Sequence, residues 1–220
     1  MLAYHNDVAV KDKYVRRVLA HQAADEIEKG FYWTGGRGCA VGCTIHGNNH
    51  KAYETELGIP QLLARLEDGI FENLPLQRAK LWPAEFLQAV NVGADLSGIW
   101  PKFAIWMLTD KEWGVIQFAK TELTKTAIQN ISDAYDKYDL IKPEEWHSLR
   151  RAAYAAAADA AAAAAAYAAA ADAAAYAAAA DADADAYAAA ADAAADAAGA
   201  RRKWRVAQAD KLLELLRDCK

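Results

Sequence analysis

Apolar residues recur at helical spacing over the first two thirds of the chain. Val10, Tyr14 and Val18, for example, share one face of a helix that we expect to begin after Asp7, a favourable N-cap, and to end near Gly30. No segment alternates apolar and polar residues at the two-residue period for long enough to predict a strand. The pattern therefore predicts an all-α fold with a compact multi-helix domain.

Glycine and proline divide this predicted domain, which we place at residues 1–142. Residues 31–50 contain five glycines and two asparagines, which predicts a loop region with at most a short helix. We expect further helices to end at Gly58, Pro75 and Pro83.

Alanine dominates the last third of the chain. Pro143 followed by two acidic residues favours a helix start, and neither glycine nor proline recurs before Gly199. We predict a long alanine-rich helix over residues 143–199, on the order of 84 Å long at 1.5 Å per residue. A short amphipathic C-terminal helix follows at residues 200–220 and needs a surface to cover its apolar face, which carries Leu212, Leu215, Leu216 and Cys219.

The alanine-rich segment is also a low-complexity repeat. The hexapeptide Tyr-Ala-Ala-Ala-Ala-Asp begins at Tyr154, Tyr167, Tyr176 and Tyr187. Their irregular spacing spreads the tyrosines over more than one helical face. Small alanine side chains favour close packing of helices, so we expect residues 143–220 to bind a protein partner or to self-associate. Mimicry of an acidic ligand by a viral inhibitor protein is an alternative interpretation of the same segment.

Net charge and cysteine content argue against some binding partners and some cellular locations. The formal net charge of -5 argues against general affinity for nucleic acid. Aspartates within the alanine-rich segment argue against a membrane span, at roughly +2.5 to +3.5 kcal/mol each near the bilayer centre. Three cysteines do not form a secreted disulfide framework, and no apolar run follows Met1 to indicate a secretory signal. We expect a cytoplasmic location, in a bacterium or in an infected host cell.

One cluster carries candidate chemistry. Cys39, Cys43, His46 and His50 are spaced by four, three and four residues, so all four would share one helical face. Thiolate and imidazole are the usual zinc ligands, which makes these residues candidate ligands for Zn²⁺. A straight helix would separate Cys39 from His50 by about 16 Å. A single-ion site therefore needs a bend or outside ligands, for which the candidates are His5, Asp7, His21 and Glu54.

Two other interpretations of the cluster remain open. Both cysteines are small enough to be buried apolar residues, with the histidines in ordinary hydrogen bonds. Alternatively, Cys39 is a catalytic nucleophile with His46 or His50 as its base and Glu54 orienting the imidazole. The Walker phosphate-binding pattern is absent.

Three stretches resemble a group of uncharacterised bacterial and phage proteins. They are Gly-Arg-Gly-Cys-Ala-Val-Gly-Cys-Thr-Ile-His-Gly at 36–47, Tyr-Glu-Thr-Glu-Leu-Gly-Ile-Pro at 53–60 and Leu-Glu-Asp-Gly-Ile-Phe-Glu-Asn-Leu-Pro at 66–75. The alanine-rich tail is also similar, although it carries Tyr and Asp where such tails carry Ser, Trp, Arg and Glu. The group has no established activity, so the resemblance implies no function.

Three functional classes follow from these observations. We place first a non-enzymatic interaction or accessory protein, with phage origin as one option, in which the alanine-rich helix mediates packing or self-association. A metal- or cysteine-dependent enzyme built on Cys39, Cys43, His46 and His50 is the second class. The acidic viral inhibitor is the third.

Overall fold

The computed structural model describes residues 1–119, 121–158 and 198–220. Within these ranges the chain forms nine α-helices and one two-stranded sheet, which confirms the predicted all-α class. The elements are α1 (Val8–Ala23), β1 (Trp33–Thr34), β2 (Arg37–Gly38), α2 (Ala40–Ile45), α3 (Ala52–Leu57), α4 (Gln61–Asn73), α5 (Leu76–Ala89), α6 (Ile99–Thr109), α7 (Glu122–Tyr135), α8 (Pro143–Ala158) and α9 (Ala198–Asp218). None of these helices is both long enough and apolar enough to span a membrane.

The chain divides into two units. Unit 1 comprises Met1–Trp100 together with Arg205–Lys220, and unit 2 comprises Pro101–Trp204. The boundary that the sequence suggests at residue 142 falls inside unit 2. Most of the segment 200–220 belongs to unit 1.

Unit 1 is built around α4 and α5. Helix α5 packs against α1 and α4, and α2 packs against α1, α4 and α5. Its core is rich in aromatic residues, and a buried aromatic side chain removes more apolar area from water than an aliphatic one. The largest of these fully buried side chains are Tyr4, Tyr14, Tyr53, Phe71, Trp82 and Phe86.

Three of the predicted helix boundaries in unit 1 are confirmed, and one is displaced. Helix α4 ends at Asn73, just before the predicted break at Pro75. The Asp7 side chain accepts a hydrogen bond from the Ala9 N–H and caps α1 as predicted. Gly58 ends α3 at a φ of 63°. Helix α1 ends at Ala23, earlier than predicted, because the chain turns through Asp25 at a positive φ of 57°.

The predicted break at Pro83 is wrong. Pro83 lies inside α5, which runs without interruption from Leu76 to Ala89. A proline in a helix interior costs about 3 kcal/mol. The continuous helix nevertheless buries Trp82 and Phe86 completely, and each buried large apolar side chain contributes about 1.5–3 kcal/mol.

The part of α9 from Arg205 onward packs within unit 1. Ala209, Leu212 and Leu216 are buried, and the Asn91 side chain donates a hydrogen bond to the Arg217 carbonyl oxygen at 3.0 Å. The apolar face of the C-terminal helix is therefore covered by its own chain.

The predicted alanine-rich helix is described only at its start. Helix α8 begins at Pro143, as predicted, and is described to Ala158. The remaining part of that prediction, residues 159–197, lies outside the described residues. Gly199, predicted as a helix end, lies inside α9.

Unit 2 contains α7 packed against α8. Tyr135 on α7 and Trp146 on α8 lie with ring centroids 4.9 Å apart. Thr121 caps α7 by accepting a hydrogen bond from the Thr124 N–H.

Candidate metal centre

The hairpin of β1 and β2 packs its backbone directly onto α2. An added Cβ would lie 1.8 Å from the Tyr32 carbonyl oxygen at Gly38 and 1.5 Å from it at Gly42. The Cys39 N–H donates to the carbonyl oxygens of Phe31 and Tyr32, at 3.0 and 3.1 Å. Gly38 thus allows a close contact within the hairpin, Gly42 allows the hairpin to approach α2, and these contacts hold the backbone of Cys39.

Cys39 lies at the start of α2 and faces two carboxylates of α4. Its thiol is buried, and its Sγ accepts a hydrogen bond from the Gly42 N–H at 3.4 Å. Asp68 and Glu72 are four residues apart and therefore share one face of α4. One ligand atom from each of Cys39, Asp68 and Glu72 lies within 4.8 Å of the others.

The two carboxylate oxygens of Asp68 have different surroundings. Oδ2 lies 3.3 Å from Nε2 of His50, and both side chains are 14% exposed. Oδ1 is buried and has no hydrogen-bond partner among the described residues. The His50 ring in turn makes an edge contact with Tyr32, with centroids 5.5 Å apart. Apart from the interaction of the Asp68 carboxylate with the Cys39 thiol, one Asp68 oxygen is therefore neither solvated nor paired, which is costly for a carboxylate.

Glu72 completes the group. Both of its carboxylate oxygens accept from the Gly30 N–H, at 3.1 and 3.2 Å. Burial raises the pKa of Glu72, although the Gly30 hydrogen bond opposes the shift.

The electrostatics of Cys39 disfavour a free thiolate. Burial raises the pKa of its thiol well above the ordinary value, and the Asp68 carboxylate raises it further. The hydrogen bond from the Gly42 N–H opposes these effects and is outweighed. Cys39 therefore keeps its proton at neutral pH unless a cation displaces it.

A second carboxyl of α4 lies in the core. Glu67 is fully buried, and its Oε2 accepts a hydrogen bond from the Tyr53 hydroxyl at 2.6 Å. Its Oε1 has no partner among the described residues. Burial raises the pKa of Glu67 well above its ordinary value, and the neighbouring Asp68 adds to the shift.

A second cluster lies at the other end of α2. The Nε2 atoms of His21 and His46 are 2.9 Å apart, and His21 Nδ1 lies 2.7 Å from the Glu26 carboxylate. The His46 ring stacks on Trp33, with centroids 4.3 Å apart and an interplanar angle of 14°. Burial, followed by the positive charges of Arg17 and His21, lowers the pKa of His46.

The four predicted metal ligands do not come together at one site. Cys39 belongs to the first cluster, where His50 contacts Asp68, and His46 belongs to the second. Cys43 is buried, and its thiol donates to the Gly38 carbonyl oxygen at 3.3 Å. Burial raises the pKa of Cys43 to about 12. Among the described residues, three or more potential ligands come together only at Cys39, Asp68 and Glu72.

Glu54 has a different role from the one that its spacing suggested. Its carboxylate accepts a hydrogen bond from the Gln61 N–H at 3.0 Å. The carboxylate that contacts His50 is Asp68.

Asp68 and Glu72 were not recognised from the sequence, although α4 contains a signal. Glu67 lies four residues after Leu63 and four before Phe71, inside the apolar stripe of the helix. An acid at such a position, followed directly by Asp68, indicates a carboxylate-lined interior face.

The site must be interpreted from its own geometry. Comparison of the chain with protein-family models, curated proteins and solved structures finds no match.

Proposed function

We propose that unit 1 binds a zinc ion through Cys39, Asp68 and Glu72, and that this ion forms the centre of a metal-dependent enzyme. The observation that carries the proposal is the convergence of three ligand atoms within 4.8 Å of one another. Zinc–ligand bonds of about 2.0–2.3 Å require separations of this order or somewhat shorter. The buried Oδ1 of Asp68, which has no hydrogen-bond partner of good geometry among the described residues, is a second feature that a nearby cation would stabilise.

The donor atoms favour zinc over harder cations. Mg²⁺ and Ca²⁺ take oxygen ligands almost exclusively, whereas a thiolate is a soft ligand typical of zinc sites. A bound cation displaces the Cys39 proton and so offsets the unfavourable burial of a thiol between carboxylates. The contact from His50 to Asp68 resembles the outer-shell hydrogen bonds that orient metal-binding carboxylates.

The number of ligands favours catalysis over a purely structural role. Structural zinc sites generally use four protein ligands, whereas catalytic sites use three and leave a position for water. Zinc lowers the pKa of such a water to about 7 and thereby supplies a nucleophile for hydrolysis. The alternative of a metal-free cysteine nucleophile is less well supported, because burial raises the pKa of the Cys39 thiol.

The test is the zinc content and zinc affinity of the full chain. We expect about one tightly bound zinc at this centre, and a loss of at least about 100-fold in affinity in Asp68→Asn, because one anionic ligand is removed. Glu54→Gln is the matched control, since Glu54 hydrogen-bonds away from the cluster. Cobalt-substituted protein should show a thiolate-to-metal absorption band that Cys39→Ser lacks. Equal zinc affinity in wild type and Asp68→Asn would contradict the proposal.

Packing or self-association through the alanine-rich segment is a second proposal, independent of the metal. It is supported by the composition of residues 143–199, most of which lie outside the described residues. Because most of α9 belongs to unit 1, the informative variant removes residues 160–196 and keeps the C-terminal helix. A lower mass by light scattering in this variant supports self-association, and an unchanged monomeric mass in both proteins excludes it.

A further inference from the structure

The second cluster joins two separate elements through a pair of imidazoles. His21 lies in the last turn of α1, and His46 is the C-cap of α2. Their Nε2 atoms are 2.9 Å apart, although the residues are 25 positions apart in sequence. Two ring nitrogens from different helices therefore point at one place.

Both rings are held in position by other groups. The Glu26 carboxylate contacts Nδ1 of His21, the nitrogen that does not face His46. Trp33 stacks on the flat face of His46. A carboxylate on the outer nitrogen of a histidine is the arrangement that fixes metal-binding imidazoles and raises their basicity. The pair is thus oriented before any ligand arrives.

The hydrogen bonds of the two rings indicate which proton a bound cation would displace. When Nδ1–H of neutral His21 donates to Glu26, its Nε2 carries a lone pair. The short contact with His46 then requires the His46 Nε2–H as donor. A single proton lies between the two nitrogens. If the His46 proton moves to Nδ1 of the same neutral ring, both Nε2 lone pairs are available to a divalent cation, which holds two such nitrogens about 3.3 Å apart when it is tetrahedral. Because the ring centroids are 5.1 Å apart, the two rings face each other nearly end to end, so each ring must also turn to direct its lone pair at a shared ion.

We propose that His21 and His46 bind a first-row divalent cation through their Nε2 atoms, with copper(II) bound most tightly. Two imidazoles without a thiol form a borderline nitrogen site, for which the Irving–Williams order places Cu²⁺ above Zn²⁺. His46 is exposed, so the ion enters from solvent and water completes its coordination. This site is separate from the one formed by Cys39, Asp68 and Glu72 and does not depend on it.

The test is titration of the full chain with Cu²⁺ at pH 7.5, followed by electron paramagnetic resonance. We expect a spectrum with nitrogen couplings from two imidazoles, and affinity at least ten-fold weaker in both His21→Gln and His46→Asn. Asparagine is chosen at position 46 because it tolerates the positive φ of 55° found there. His147→Gln is the control, since His147 is exposed in unit 2. Equal Cu²⁺ affinity in wild type and the two cluster variants would overturn the proposal.

The two proposed metal sites can be tested independently of each other. Asp68→Asn should keep the imidazole-ligated Cu²⁺ signal while losing zinc from the first centre. His46→Asn should show the reverse. An imidazole signal that disappears in Asp68→Asn would place the copper at the first centre and refute the site at His21 and His46.

Discussion

The two ends of α2 place metal-binding side chains in opposite surroundings. At its start, Cys39 is buried against the carboxylates of α4. At its end, His46 is exposed, stacks on Trp33 and faces His21. Six helical residues separate a closed acidic cluster from an open imidazole pair.

The comparison shows that burial acts in opposite senses on acids and bases. Burial raises the pKa of Cys39 and Glu72, so these acids retain their protons more strongly. Partial desolvation lowers the pKa of His46 even though the residue is exposed, so this base loses its proton more easily. A metal must displace protons from the acids at the first end, whereas at the second end the Nε2 proton of His46 can move to Nδ1 of the same ring, with no net proton release. Zinc binding at the first cluster should accordingly release more protons than copper binding at the second.

The largest effect is expected where both ends are disturbed together. Gly42→Ala places a Cβ about where the Tyr32 carbonyl oxygen lies, because the distance would be 1.5 Å. The hairpin must move, and with it the two aromatic residues that contact His50 and His46. We expect a loss of about 3 kcal/mol or more in the free energy of unfolding, measured by urea denaturation.

Gly69→Ala is the matched control for this substitution. Gly69 lies inside α4, and an added Cβ there meets nothing within 4 Å. We expect a gain of about 0.5–1 kcal/mol in stability, because alanine is the better helix former. Similar destabilisation by both substitutions would show that the approach of the hairpin to α2 is not what makes Gly42 necessary.

An intermediate effect is expected from the buried acid of α4. The folded-state pKa of Glu67 is raised, so its contribution to stability is complete below the unfolded pKa of about 4.3 and is lost as pH rises through the folded value. In this window the free energy of unfolding should fall with a slope of up to about 1.4 kcal/mol per pH unit from this group. Glu67→Gln should remove that slope and become increasingly stabilising, relative to wild type, as pH rises.

Glu214→Gln provides the comparison for the pH series, because Glu214 is exposed on α9. The difference in the free energy of unfolding between Glu214→Gln and wild type should change little between pH 5 and pH 8. If the difference in the free energy of unfolding between Glu67→Gln and wild type is also independent of pH, Glu67 is ionised in the folded protein and its pKa is not raised.

The smallest effect is expected at the exposed end of α2. His46→Asn keeps a residue that accepts a positive φ, so we expect a change in unfolding free energy of less than about 1 kcal/mol. His46→Val places a β-branched residue in the same left-handed conformation and should cost about 1–2 kcal/mol more. Equal stability of the two variants would show that the conformation of residue 46 is not imposed by the fold.

Local chemistry in the sequence was sufficient to predict most helix boundaries. Asp7, Gly58 and Pro143 act at the positions where capping and backbone preference place them. The predicted ends at Gly30 and Gly199 and the predicted break at Pro83 were wrong. At Pro83, the tertiary burial of Trp82 and Phe86 outweighs the local preference.

The candidate site could be predicted only in part. The motif around Cys39 identified the right region, because the cysteines and histidines there are close together in sequence. Asp68 and Glu72 come to Cys39 only through the packing of α4 on α2, a contact between segments about 30 residues apart that local spacing does not encode. The pairing of His46 with His21 likewise depends on α1 packing against α2.

The return of α9 to unit 1 has a consequence for synthesis on the ribosome. Unit 1 is discontinuous, because Met1–Trp100 and Arg205–Lys220 are separated by all of unit 2. At about 5–20 residues per second, the intervening segment takes roughly 5–20 s to translate. During that interval the surface that later receives Leu212 and Leu216 is uncovered. The nascent first unit therefore presents an apolar binding site for chaperones until the last helix emerges.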